Sequence, residues 1–101
     1  MVKPKNSISL ALVGIGGMGY YYLKELLKNY YPQKVFIQGA VDPYPERSEL
    51  YPELKRLDIP VFSSLEDLYL RRPNPELTVI SSPIHCHVGQ SSLALQNGSH
   101  V

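Results

Sequence analysis

Apolar and polar positions along the chain alternate with two different periods. Residues 8–15, ISLALVGI, form a short and almost continuously apolar run, as a strand covered on both faces requires. From about residue 17 to residue 29 the period becomes helical. Met18, Tyr22, Leu23, Leu26, Leu27 and Tyr30 share one face, while Lys24, Glu25 and Lys28 share the other. Tyr21 falls on the charged face and is expected to be exposed. Pro32 ends the helix by pushing Tyr31 out of the helical region.

Val35–Val41 (VFIQGAV) reads as a second strand. Residues 45–57 read as a less regular helix. Pro45 suits a helix start, but Pro52 in an interior would cost about 3 kcal/mol through a lost hydrogen bond and a clash. A broken helix, or two short turns around Tyr51-Pro52, is therefore expected. Residues 59–62 read as a short third strand. Ser63-Ser64-Leu65-Glu66 has the capping-box spacing, with Ser63 accepting from the backbone of Glu66 and Glu66 reaching back. A short helix to Leu70 follows, and a solvated negative end accounts for Arg71 and Arg72.

Residues 77–81 (LTVIS) read as a fourth strand. Residues 82–86 form a loop and residues 87–97 a helix, with a weaker stripe of Val88, Ser91, Ser92 and Leu95. Gly98 can take the left-handed conformation that stops it. His100-Val101 read as the first step of a fifth strand. Strand and helix thus alternate throughout, and strands joined by helices run parallel with right-handed crossovers. The pattern predicts an α/β fold: a doubly wound, mostly parallel Rossmann-like sheet, truncated at the start of its fifth strand.

Composition narrows the function classes. A chain of 101 residues supports one domain with a real core but is small for a whole enzyme. Its net charge of +1 comes from 10 basic and 9 acidic residues with no block of one sign. That argues against a nucleic-acid partner, despite the many tyrosines, and against an acidic membrane surface. No run approaches the roughly 18 apolar residues of a membrane span. Lys3 and Lys5 precede an apolar run, loosely like a signal peptide. That run is short and glycine-rich, and no small-x-small cleavage site follows it. Cys86 is the only cysteine, so no internal disulfide can form, which fits a reducing cytoplasm.

The turn after the first strand carries the chemistry. Gly14-Ile15-Gly16-Gly17-Met18-Gly19 fits G-x-G-x-x-G between an apolar strand and an amphipathic helix. Gly14 permits the tight turn, Gly16 lets the backbone approach a pyrophosphate, and Gly19 lets the helix pack closely. N–H groups near Gly16, Gly17 and Met18 would face the anion with the helix dipole behind them. Asp42 closes the second strand 23 residues after Gly19, near the expected spacing of about 20. Its carboxylate suits the adenine ribose hydroxyls and repels a 2′-phosphate, which favours NAD over NADP. Arg47 lies close enough to pair with such a phosphate and keeps NADP open. A plain Asp42-Pro43 turn is the bland alternative.

Ser81-Ser82-Pro83-Ile84-His85-Cys86-His87 lies at the carboxyl edge of the sheet, where open α/β folds bind ligands. His85 and His87 could bind a metal, but no third ligand is near, so no metal site is expected. Cys86 beside His87 does not make a nucleophile pair, because sequence neighbours diverge on a helix or a strand. A small buried thiol is the better reading.

Taken together, LVGIGGMG, AVDPYPER, PVFSSLEDL and VISSPIHCHVGQSSLALQNGSHV are similar to the amino-terminal NAD(P)-binding domain of the Gfo/Idh/MocA oxidoreductases. The resemblance covers nearly the whole chain. It implies cofactor contacts from Ser82 and Pro83, where the family has Thr-Pro, and from His87, which matches a family histidine on the nicotinamide side. Helix-start packing or hydrogen bonding accounts for His87 equally well. Ile84 replaces the usual asparagine and loses its polar contact. Ser99 replaces the usual lysine, which is expected to remove a surface charge and little else.

The family's next strand leads into a Glu-Lys-Pro motif whose lysine serves the reacting group, and a second domain completes the substrate site. Both would lie beyond Val101. The resemblance therefore implies residues 1–101 as a dinucleotide-binding domain of a parent enzyme. That parent would move hydride between NAD(P) and a sugar- or polyol-like substrate. The chain alone is expected to be inactive, to expose apolar surface and to self-associate. The alternatives are a stand-alone dinucleotide-sensing or interaction module, and an α/β domain with an empty site.

Overall fold

The structure, a computed structural model, describes residues 6–16, 18–28, 30–72, 75–81 and 84–101; of residues 18, 84 and 85 only the backbone is described. Its elements are β1 (Ile8–Val13), α1 (Met18–Lys28), β2 (Val35–Val41), a 3-10 turn (Pro45–Arg47), α2 (Tyr51–Arg56), β3 (Val61–Phe62), α3 (Leu65–Arg71), β4 (Leu77–Ile80) and α4 (Ile84–Gln96). The four strands form one parallel sheet in the order β3-β2-β1-β4. The chain reverses its winding between β1 and β4, so the carboxyl ends of these two strands frame the crevice of a doubly wound sheet.

Alternation along β1 divides the core into two layers. Leu10 and Leu12 pack with Ile15, Leu23, Ile37, Ala40, Leu54 and Ile59, beneath α1 and α2. Ala11 and Val13 pack on the opposite face with Val41, Leu65 and Leu68, joined by Leu93 of α4. Burial on both faces is why β1 reads as continuously apolar. In β2, Ile37 and Ala40 lie on the same face although an odd number of steps separates them. The cause is a bulge: Leu10 pairs with Ile37, but Ala11 pairs with Gly39. One extra residue, Gln38, resets the parity of the strand. The N–H of Ile37 then donates to Tyr30 Oη at 2.9 Å.

Several expectations need correction. The break expected around Tyr51-Pro52 lies earlier, between Arg47 and Tyr51, and Pro52 stands in the first turn of α2, where it has no intrahelical partner to lose. The third strand is two residues long. The cap of α3 is Ser64, whose Oγ accepts from Asp67 N at 3.1 Å, because Ser64 has the extended backbone that an N-cap needs. Arg71 is solvated and pairs with Asp67, but Arg72 is partly buried, and its Nε has no hydrogen-bond partner among the described residues. Tyr22, placed on the buried face of α1, is exposed at the edge of that face, as Tyr21 is on the charged side.

The largest revision concerns α4. It begins at Ile84, three residues before the expected start, and His87, Gln90, Ser91 and Ala94 turn inward. Val88 and Leu95, which were to carry the buried stripe, are 80% and 63% exposed. α4 ends at Gln96, and Gly98 (φ 77°) closes it: Gly98 N donates to Leu95 O and Ser99 N to Ala94 O. That is the Schellman pattern. His100 pairs in parallel with Leu77, as the first step of a further strand does.

Ser99 is not on the surface. It is 3% exposed, and its Oγ lies 2.7 Å from Thr78 Oγ1, which in turn lies 3.0 Å from Tyr69 Oη. This chain of hydroxyls joins α3, β4 and the segment after α4.

Candidate functional site

The glycine-rich turn leaves β1 at the crevice. Gly14 has φ 91°, a conformation that strains any L side chain, and its N–H donates to Val41 O at 2.7 Å. At Gly19 a Cβ would stand 2.1 Å from Gly14 O and 3.3 Å from Ser81 Cβ. The start of α1 thus rests against the ends of β1 and β4, with no room for a side chain. Gly16 differs: a Cβ there would meet nothing within 4 Å, and its φ is not in the left-handed region. Among the described residues, neither backbone strain nor packing requires glycine at that position. The open side leaves room for a ligand to approach the backbone, so the loop fits a pyrophosphate. Gly17 lies outside the described residues, and Met18 is described only as the first residue of α1.

Asp42 follows β2 and reaches back to this turn. Its Oδ2 accepts from Ile15 N at 3.2 Å and its Oδ1 from Tyr44 N at 2.8 Å. The carboxylate therefore stands beside the loop, and each oxygen has acceptor capacity beyond the one bond it makes. Arg47 stacks on the Tyr44 ring, its guanidinium carbon 4.4 Å from the ring centroid. This holds a cation on the same segment as Asp42.

Sequence reasoning missed Ser48. It is buried, and its Oγ donates to Ile15 O at 2.8 Å. A serine among exposed charged residues gives no local sign of this; only the fold carries it to the loop.

The other edge of the crevice comes from β4. Ser81 N donates to Val13 O at 2.7 Å, which sets the segment after β4 directly beside the glycine turn. Ser82 and Pro83 lie outside the described residues. His87 is half-buried within α4, one turn after its start rather than at it, because the helix begins at Ile84. Cys86 is a half-buried free thiol. Among the described residues no three His, Cys, Asp or Glu side chains gather as a metal site would require. No helix among them is long and apolar enough to cross a membrane.

The family model for the Gfo/Idh/MocA oxidoreductases, described as an oxidoreductase family with an NAD-binding Rossmann fold, matches residues 8–101. The chain belongs to this family. It is an NAD-binding Rossmann domain, and the glycine turn, the parallel sheet and the crevice are those of that fold. No curated protein matches by sequence.

Among solved structures, the Gfo/Idh/MocA chain is similar to apo scyllo-inositol dehydrogenase from Lactobacillus casei, with 26% identity and a TM-score of 0.77 over 97% of this chain and 28% of that one. The same dehydrogenase with bound NAD(H) and scyllo-inositol gives 24% identity and a TM-score of 0.73, over 94% of this chain and 27% of that one. The WlbA dehydrogenase from Chromobacterium violaceum, in complex with NADH and UDP-GlcNAcA, gives 23% identity and a TM-score of 0.76, over 100% of this chain and 28% of that one. The last two likenesses speak for the fold. The chain spans about 28% of the length of the scyllo-inositol dehydrogenase it matches.

Proposed function

We propose that residues 1–101 hold the dinucleotide for a larger oxidoreductase, with the contacts divided along the crevice. The turn of Gly14, Gly16, Gly17, Met18 and Gly19 receives the pyrophosphate. Asp42 accepts the hydroxyls of the adenine ribose. Ser82, Pro83 and His87 lie on the nicotinamide side. The observation that carries this reading is the open space beside Gly16, next to the Asp42 carboxylate and against the end of β4. NAD is the preferred cofactor because a carboxylate at the ribose repels a 2′-phosphate. Arg47, held on Tyr44, is the group that would let NADP compete.

The protein as a whole is proposed to transfer hydride between this cofactor and a sugar- or polyol-like alcohol. The molecules bound in the similar structures, scyllo-inositol and UDP-GlcNAcA, support that class. The bound cofactor supplies the hydride chemistry, and this chain supplies positioning and electrostatics. By itself the chain is proposed to bind without turnover, because it spans so small a share of those enzymes. Self-association is proposed through the exposed face of α4, where Val88 and Leu95 lie two turns apart. A cytoplasmic location is proposed on the strength of the lone thiol Cys86.

Titration with NADH, followed by nicotinamide fluorescence, tests the central reading. Saturable binding is expected. A folded chain that shows none at millimolar ligand would sink it.

A further inference from the structure

Ile15 stands between the two glycines that shape the turn, and both of its backbone groups are held by side chains from one short segment. Its N–H donates to Asp42 Oδ2 at 3.2 Å, and its carbonyl accepts from Ser48 Oγ at 2.8 Å. Its own side chain is fully buried in the core. The Ser48 hydroxyl has little freedom. Leu50 N–H donates to the same Oγ at 3.3 Å, which leaves the hydroxyl proton directed at Ile15 O. The Ser48 backbone is also tied down, with N donating to Pro45 O at 3.0 Å and O accepting from Tyr51 N at 3.2 Å.

The consequence follows from peptide geometry. The Ile15 carbonyl and the Gly16 N–H belong to one planar trans unit and point in opposite directions. Fixing the carbonyl from below therefore fixes the aim of the Gly16 N–H. A hydrogen bond accepted by the carbonyl also polarises the amide and makes its N–H a stronger donor. Among the described residues, a Cβ at Gly16 would meet nothing within 4 Å, so its side faces open space.

We propose that Ser48 is a positioning residue for dinucleotide binding: through the Ile15 carbonyl it aims and polarises the Gly16 N–H toward the pyrophosphate. This inference rests on the cofactor reading given above. It assigns a role to a residue that lies outside the glycine motif and acts through the Ile15 carbonyl.

The test compares wild type and Ser48→Ala in the full chain, with three probes. NADH and ADP-ribose carry the pyrophosphate; adenosine keeps the ribose and lacks phosphate. Ser48→Ala is expected to weaken NADH and ADP-ribose binding about tenfold, since a charge-assisted hydrogen bond is lost or misdirected. Adenosine binding, followed by amide chemical shifts, should change less than about twofold. The Gly16 amide proton should move downfield with ADP-ribose in wild type and move less in the variant. If Ser48→Ala does not fold, Ser48→Cys, whose thiol is a weaker donor, should show the same selective loss at smaller amplitude.

Equal losses for all three probes would make Ser48 a structural residue only and overturn the proposal, and so would no loss at all. A wild-type chain that binds none of the probes overturns the cofactor reading itself, and this inference with it.

Discussion

Ser99 Oγ and Thr78 Oγ1 lie 2.7 Å apart, in a part of the fold where both residues are buried. Two hydroxyls out of water must find partners, and these two find each other. The bond holds the last residues of the chain against β4, where His100 N donates to Glu76 O and Thr78 N donates to His100 O. Ser99→Ala is therefore expected to cost about 1 kcal/mol, because Thr78 keeps only Tyr69 as its hydroxyl partner. Urea denaturation measures this, and an unchanged midpoint would refute it.

Gly16 and Gly19 should respond in opposite ways to the same substitution. Gly19→Ala drives a methyl group onto the Gly14 carbonyl, which backbone cannot vacate, and should cost about 3 kcal/mol or more. Gly16→Ala meets no atom of the described residues within 4 Å and should leave stability within about 0.5 kcal/mol of wild type. It should nevertheless weaken NADH binding, since its methyl occupies the space proposed for the pyrophosphate. Thermal unfolding and NADH titration of the two variants separate these effects.

Asp42→Ala should weaken NAD binding more than NADP binding, because only NAD offers both ribose hydroxyls to the carboxylate. The N–H groups of Ile15 and Tyr44 also lose their acceptor, so some loss of affinity common to both cofactors is expected. The ratio of the two dissociation constants is the diagnostic quantity. An unchanged ratio removes the ribose role from Asp42.

Tyr30 links the end of the α1 segment to the bulge in β2. Tyr30→Phe leaves the N–H of Ile37 without that acceptor and should cost about 1–3 kcal/mol at neutral pH. Burial raises the pKa of the Tyr30 phenol, an effect the Ile37 N–H partly offsets. The folded state thus holds the proton more tightly than the unfolded chain. Stability from this group is complete below about pH 10 and is lost as pH rises through the higher folded value. The gap between wild type and Tyr30→Phe should therefore narrow above about pH 10. A gap that stays constant to high pH would contradict this.

Ser63 and Ser64 are neighbours with different roles. Ser64→Ala should destabilise by about 1 kcal/mol through loss of the α3 cap, whereas Ser63→Ala should stay within about 0.5 kcal/mol of wild type. Urea midpoints of the two variants should differ accordingly.

The alternation of strands and helices, the glycine turn and the carboxylate at the end of β2 were legible along the chain. These are local signals: a continuous apolar run, a helical period, a glycine where φ is positive at Gly14 and Gly98. The sequence also carried the resemblance that the family match over residues 8–101 bears out. The tertiary structure alone decided where each local pattern points. In α4 the apolar Val88 and Leu95 face outward, while Leu93 and Ala94 turn to the core together with the partly buried His87, Gln90 and Ser91. In β2, Gln38 shifts the register, which no two-residue period reveals. Ser48 and Ser99 look like surface serines from their neighbours, yet both are buried and bonded to residues 33 and 21 positions away. Local sequence fixes which conformation a segment prefers; only packing fixes which neighbours a polar side chain must satisfy once water is gone.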